Sequence, residues 1–349
     1  MTPSRSAAQP NCSALPFHPV VPPSRSTQSF HPVVPPRRPG QPGGTRMDLT
    51  GPQLTRRTFT RSALALGATS ALLGLGTLPA RAASAPGGAD WLAALPDSAP
   101  LARLTLPGTH DTCSLYGGAI TQTQTLSVPD QLTAGIRFMD IRCRAINGVF
   151  AIHHSQFFQN IFFGDVLNDC QAFLAQHPGE TLVMRVKQEY STVPDADFAA
   201  IFSDYQSRWP GLLWTENRIP RLGEVRGRVV LLADNGGLPG IRWNGPLVDL
   251  EDDYQIGTIF EIGSRKWPEV SAHLDAARST TDPQRLFITF TSSSGWGLWP
   301  RQAADAMAPR LAGYLGGLDH GSRPVLGTVP MDFVTPSSPA ALYALNFGA

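Results

Sequence analysis

From about residue 100 onward, short apolar runs alternate with stretches whose apolar residues recur at helical spacing. This alternation limits the chain more than any other feature. Strand-like runs fall at 101–106 (LARLTL), 136–146 (IRFMDIRCRAI), 149–154 (VFAIHH), 181–186 (TLVMRV), 227–234 (GRVVLLAD), 285–292 (RLFITFTS) and 324–334 (PVLGTVPMDFV). Helical patterns fall at 164–180, at 195–209 with Asp195 as its N-cap, at 266–279 with Pro268 in the first turn, and from Pro300 to about Leu315. Repeated β-then-α units with short connections predict an α/β protein with a mostly parallel sheet. Closure of that sheet removes its edges. The expected architecture is a distorted TIM-type (β/α) barrel, a single domain over residues 86–349.

The reactive side chains cluster where such a barrel builds a site, at the C-terminal ends of its strands. In LPGTHDTCSLYGG, Pro107-Gly108 reads as the turn ending the first strand, and His110 and Asp111 follow it. Asp140 and Arg142 lie within the second run, and His154 ends the third. Lys187 and Glu189 follow the fourth, Asp234 ends the fifth, and Asp332 closes the last. Two histidines with several carboxylates suit acid–base work: one imidazole accepts a proton from a hydroxyl and the other donates one to a leaving group. A carboxylate beside each ring sets its tautomer. An arginine fork matches two phosphate oxygens. No serine sits in a nucleophile-elbow sequence and no His-Glu-x-x-His occurs.

The beginning of the chain reads differently. Residues 1–46 are Pro-rich, repeat FHPVV at Phe17 and Phe30, and lack apolar periodicity, the mark of a disordered leader or of sequence upstream of a true start at Met47. Residues 47–85 carry Arg56-Arg57, an apolar run from Ala63 to Leu78, and small-residue sites at Ala80–Ala82 and Ala83–Ala85. They resemble a twin-arginine signal peptide, which predicts a secreted protein. A net charge of +1 argues against nucleic-acid binding by bulk electrostatics. Outside the cytoplasm, Cys113, Cys143 and Cys170 permit one disulfide with one thiol left over, and their spacing does not fit zinc.

Five ordered blocks, LPGTHDT, GIRFMDIRCR, AIHHSQFF, HPGETLVMRVKQEY with RGRVVLLAD, and VPMDFV, resemble the bacterial phosphatidylinositol-specific phospholipase C family and its X-domain relatives, from about Leu101 to Val334. The resemblance implies His110 as general base for the inositol 2-hydroxyl with Asp332 as its partner. It implies His154 as general acid toward the diacylglycerol oxygen with Asp111 as its partner, and Arg142 on the phosphate with Asp140 beside it. Lys187, Asp252 and Tyr254 would contact the inositol. At Asp234 some family members carry an arginine that touches inositol, so head-group contacts there are open.

The implied products are diacylglycerol and inositol 1,2-cyclic phosphate, from phosphatidylinositol met transiently at a membrane surface. No nucleic acid or protein partner is implied. Arg142 stands where calcium-using relatives place a carboxylate, which favours catalysis without a cofactor. The alternative is Ca2+ held by Asp111, Asp140 and Asp234. Trp296 and Trp299, in the Gly/Ser loop SSSGWGLWP, suit a headgroup interface. Two rival readings remain, a glycerophosphodiester phosphodiesterase and a non-catalytic lipid- or sugar-phosphate-binding X-domain protein. His153 reads as a packed residue and Cys113 as a buried one.

Overall fold

The computed structural model describes residues 86–348; the Pro-rich leader and the signal-like segment through Ala85 lie outside the described residues. Eleven strands are present among them: β1 Leu106–Thr109, β2 Phe138–Ile146, β3 Val149–His154, β4 Phe157–Phe162, β5 Leu182–Gln188, β6 Leu213–Trp214, β7 Val229–Asp234, β8 Ile241–Arg242, β9 Val248–Glu251, β10 Leu286–Thr289 and β11 Thr328–Met331. The order β6-β7-β5-β2-β1-β11-β10-β9 runs through parallel pairings. The helices are α1 Val128–Ala134, α2 Phe163–Gln176, α3 Asp195–Arg208, α4 Leu222–Val225, α5 Ile259–Glu261, α6 Trp267–Ser279, α7 Pro300–Gly316 and α8 Ser338–Tyr343. A short π-helical turn, Ile262–Lys266, joins α5 to α6.

The barrel is distorted in two ways. No ladder joins β9 to β8 or β6 among the described residues, so the ring of hydrogen bonds is interrupted there. Between β7 and β9 the chain carries only β8 and no helix. The gap is filled by side chains: Ile241 and Trp243 share a core cluster with Val248 and Leu250.

Strand alternation sorts the residues into two faces. Met139, Ile141, Met184, Val186, Val229 and Leu231 point outward against α2 and α3. Leu106, Phe138, Val183 and Val230 point inward and pack in the barrel. The positions that continue the inward face toward the strand C-termini are His110, Asp140, Arg142, Arg185, Lys187, Asp234 and Asp332. Below the mouth the barrel is apolar; at the mouth the same positions turn to charge.

Several local expectations are corrected. Leu101–Arg103 is a 3₁₀ turn, and the first strand begins at Leu106. Pro107-Gly108 is therefore inside β1, not a turn after it. Leu106 and His110 donate to the carbonyls of Gly327, just before β11, and of Met331 at its end, so by alternation the Pro107 nitrogen faces the β2 side, one residue before that strand begins at Phe138. No ladder bond is lost. Gly108 is needed because a Cβ there would lie 2.8 Å from Phe138 Cδ1. Asp195 is the first residue of α3 and Pro194 its cap. Cys113, Cys143 and Cys170 are all buried free thiols in the outer core, and burial pushes each thiol pKa up.

Candidate active site

The mouth is organised by β1 and β2. Asp140, fully buried, accepts the Asp111 backbone N–H at 3.1 Å on Oδ2, while its own N–H donates to Thr112 Oγ1 at 2.8 Å. These bonds fix the 110–112 turn, in which Asp111 takes the left-handed conformation (φ 40). His110 then stands over the barrel with its ring edge-on to Phe290. Its Nδ1 lies 2.8 Å from Asp332 Oδ1 and its Nε2 lies 2.8 Å from Arg142 Nη2. A guanidinium only donates, so Nε2 is the acceptor and Nδ1 carries the proton donated to Asp332. Burial and then Arg142 hold the His110 pKa well below the usual histidine value, which keeps the ring neutral. Burial pushes the Asp332 carboxyl up, and its Oδ2 has no hydrogen-bond partner.

Arg142 bridges the two halves of the site. Its Nε and Nη2 donate to Asp140 Oδ2 at 3.2 and 3.0 Å, and its Nη1 lies 3.6 Å from Asp111 Oδ2. Asp140 is held well below the usual carboxylate range by Arg142 and Arg185, which outweigh its burial. Asp111 shifts upward because its burial outweighs Arg142 and His154.

His154 arrives by an unexpected route. It ends β3, which runs antiparallel to β2, with Cys143 paired to Ile152. The hairpin returns toward the mouth and delivers the ring opposite Asp111. Nδ1 lies 2.7 Å from the Thr121 carbonyl and 3.0 Å from Asp111 Oδ2. The N–H is aimed at the carbonyl, and Asp111 accepts no aligned hydrogen bond on either carboxylate oxygen. Nε2 is left as the nitrogen open to the cavity. His153, as expected, is a packed residue: it bonds the Ser155 carbonyl and lies against Phe158 and Tyr190.

His110, Arg142, His154, Lys187, Asp252, Tyr254 and Asp332 line one cavity of about 200 Å³. Asp111 and Asp140 sit behind it, and Asp234 stands at its edge bound to Arg185. Lys187 pairs with Glu189 at 3.1 Å. Burial raises the Asp252 carboxyl pKa. Sequence reasoning missed Arg185, which also lines the cavity. Its signal was a charged residue at an inward strand position, two before Lys187.

The chemistry of the carboxylates does not fit a calcium site. Asp140 is bound through both oxygens by Arg142 and Arg185, and Asp234 by Arg185. Arg142 also approaches Asp111. Guanidinium groups occupy the positions a cation would need, and no group of three or more His, Cys, Asp or Glu is arranged to hold a metal among the described residues.

An interrupted parallel barrel whose mouth presents two imidazoles, each beside a buried carboxylate, around one arginine defines the class: a (β/α) barrel equipped for acid–base chemistry on an anionic group. Residues 98–234 match the family model described as phosphatidylinositol-specific phospholipase C, X domain. A 1-phosphatidylinositol phosphodiesterase of Listeria monocytogenes is 32% identical over 266 residues, covering 70% of this chain and 80% of that protein. A Staphylococcus aureus protein of the same name is 26% identical over 242 residues, covering 60% and 76%. The solved phosphatidylinositol-specific phospholipase C of Listeria monocytogenes superposes with a TM-score of 0.67 at 28% identity, covering 76% of this chain and 99% of that one. The chain belongs to the phosphatidylinositol-specific phospholipase C X-domain family.

Proposed function

We propose that this chain is a phosphatidylinositol-specific phospholipase C that cleaves the glycerol–phosphate bond by two-histidine acid–base catalysis. One observation carries the mechanism: His110 and His154 line the same cavity, each held through Nδ1 and each with Nε2 left for the reaction, and Arg142 and Asp111 link them. Neutral His110 takes the proton of the inositol 2-hydroxyl on Nε2. That oxygen attacks the adjacent phosphorus, and the phosphorus–glycerol oxygen bond breaks. Protonated His154 gives its Nε2 proton to the departing oxygen, releasing diacylglycerol and inositol 1,2-cyclic phosphate. Attack within one molecule supplies much of the rate, and the protein supplies proton transfer and charge stabilisation. In the free site Arg142 Nη2 occupies His110 Nε2. A phosphate drawing Arg142 toward its oxygens would therefore also free the base.

Arg142 supplies the positive charge at the phosphate, so we propose that no metal is required. Phosphorus NMR of the purified protein with phosphatidylinositol vesicles tests both points. Appearance of the cyclic phosphodiester signal at equal rates with and without a strong chelator is expected. Absence of turnover overturns the activity, and loss with chelator overturns metal independence.

Two further parts of the reading concern where the protein works. Trp296 is fully exposed, Trp299 is partly so, and with Ile120 and Tyr254 they line a shallow depression next to the mouth. This supports transient seating on a lipid surface. The Arg56-Arg57 segment supports export by the twin-arginine route. An Arg56→Lys, Arg57→Lys double variant should accumulate inside the cell, and normal export of it would overturn that route.

A further inference from the structure

Arg185 has no part in the reaction proposed for the site, yet it is more deeply buried than Arg142 or Lys187, the other cations lining the cavity. It stands on β5 one layer below Lys187, in register with Asp140 on β2 and Leu232 on β7. Its side chain is 5% exposed. Nε and Nη2 donate to Asp234 Oδ2 at 2.9 and 2.6 Å, and Nη1 donates to Asp140 Oδ1 at 3.3 Å. The guanidinium carbon lies 4.1 Å from the centre of the Trp243 ring, which closes its lower face. A fork with one prong on each carboxylate and an indole beneath it has little room to shift.

The important consequence concerns Asp140. Its Oδ2 receives the Asp111 backbone N–H and two N–H groups of Arg142, whereas Oδ1 has Arg185 as its donor. Without Arg185 that buried oxygen loses its partner, at the cost such orphaned groups carry. The carboxylate is then free to turn, and Arg142 turns with it. We propose that Arg185 is a positioning residue for the phosphodiester cleavage: tethered by Asp234, it locks Asp140 so that Arg142, held on Asp140, is aimed at the phosphate position beside His110. The proposal rests on the phospholipase reading above. The tether works across three adjacent strands, from β7 through β5 to β2, so it ties the geometry of the base to the twist of the sheet.

The role has an electrostatic signature. The groups around His110 are Asp332 after β11, Arg142 and Asp140 on β2, Asp111 after β1, His154 on β3 and Arg185 on β5. Arg185 is one of the cations opposing protonation of His110. Its removal lets His110 take a proton at higher pH, so the acid limb of the kcat/KM profile moves up. Lysine restores the charge but cannot span two carboxylates.

The test compares wild type, Arg185→Met, Arg185→Lys and Asp234→Asn on phosphatidylinositol in mixed micelles, with kcat, KM, full pH profiles and thermal unfolding. For Arg185→Met, kcat falls about 100-fold, the scale of a misplaced catalytic group, with KM little changed and the acid limb raised. Arg185→Lys returns the limb to its wild-type position while kcat stays about tenfold low, because charge is restored and the two-carboxylate fork is not. Asp234→Asn gives a smaller loss of the same kind. Wild-type kcat with an unmoved limb in Arg185→Met overturns the proposal. A loss confined to KM overturns it too, since Arg185 would then be touching the substrate. If Arg185→Met does not fold, the Lys variant decides: full kcat there overturns the proposal. Wild-type protein that fails to turn over phosphatidylinositol strikes the phospholipase reading itself, whereas active wild type with insensitive variants strikes only Arg185.

Discussion

In the proposed reaction His110 and His154 take opposite tasks, and their neighbours differ accordingly. His110 sits between a carboxylate on Nδ1 and a guanidinium on Nε2, so it is neutral with its accepting nitrogen toward the cavity. His154 keeps a proton on Nδ1 for the Thr121 carbonyl with Asp111 alongside, which turns Nε2 to the cavity. Replacing either by Asn should lower kcat by about 10²- to 10⁴-fold, the usual worth of a positioned acid or base, with thermal unfolding unchanged as the control. The pH dependence has a definite sign. The His110 pKa is depressed by burial and by Arg142, and the base works when neutral. Activity should therefore persist as pH falls past about 6.5, the ordinary histidine value, and decline only at lower pH. A kcat/KM acid limb at or above that value would contradict the burial and charge around this ring. The motif GTHD made His110 legible, and the HH pair made His154 legible. Arg185 was not, because an arginine inside LVMRVK looks like an interruption of an apolar strand until the register shows it beside Asp140.

At the scale of elements, the site depends on how closely β1 meets β2. Gly108 permits this: a Cβ would press on Phe138 Cδ1 and Cβ at 2.8 and 2.9 Å. Gly108→Ala should destabilise the protein by about 1–3 kcal/mol, as overpacking does, and lower kcat because His110 rides on the same strand. Denaturant unfolding and kinetics on one preparation check both effects. The same end of β2, just before Phe138, is anchored by charge. Arg137, fully buried, places Nε 2.7 Å from Glu180 and donates its other N–H groups to the carbonyls of Leu132, Ile136, Gly88 and Ala89. Glu180 in turn accepts the backbone N–H groups of Leu92 and Ala93. Arg137→Met leaves that carboxylate buried without its cation and should cost about 3–5 kcal/mol, the range for breaking one side of a buried pair, measured by urea unfolding. The β-then-α rhythm made most strands and long helices readable. It missed β4, β6, β8 and β9, and it drew β1 too early, because apolar content near Leu101 reflects burial of a turn against the barrel floor and not extended pairing.

Over the whole molecule, the polar mouth opens beside the exposed aromatic rim, so a head group and a lipid surface would be met on one side. Trp296→Ala should reduce partitioning onto phosphatidylinositol vesicles while leaving cleavage of a soluble inositol phosphodiester intact. Equal losses in both assays would assign Trp296 to the fold. The amino-acid order by itself determined the α/β class, the order of most strands and long helices, and the two histidines, because apolar periodicity and short motifs are local properties. Tertiary structure alone decided that His154 reaches the mouth by an antiparallel return, that Arg185 and Asp234 brace Asp140, and that the ring is left open between β8 and β9. Each of these depends on which strands become neighbours, and that follows from packing across the whole barrel.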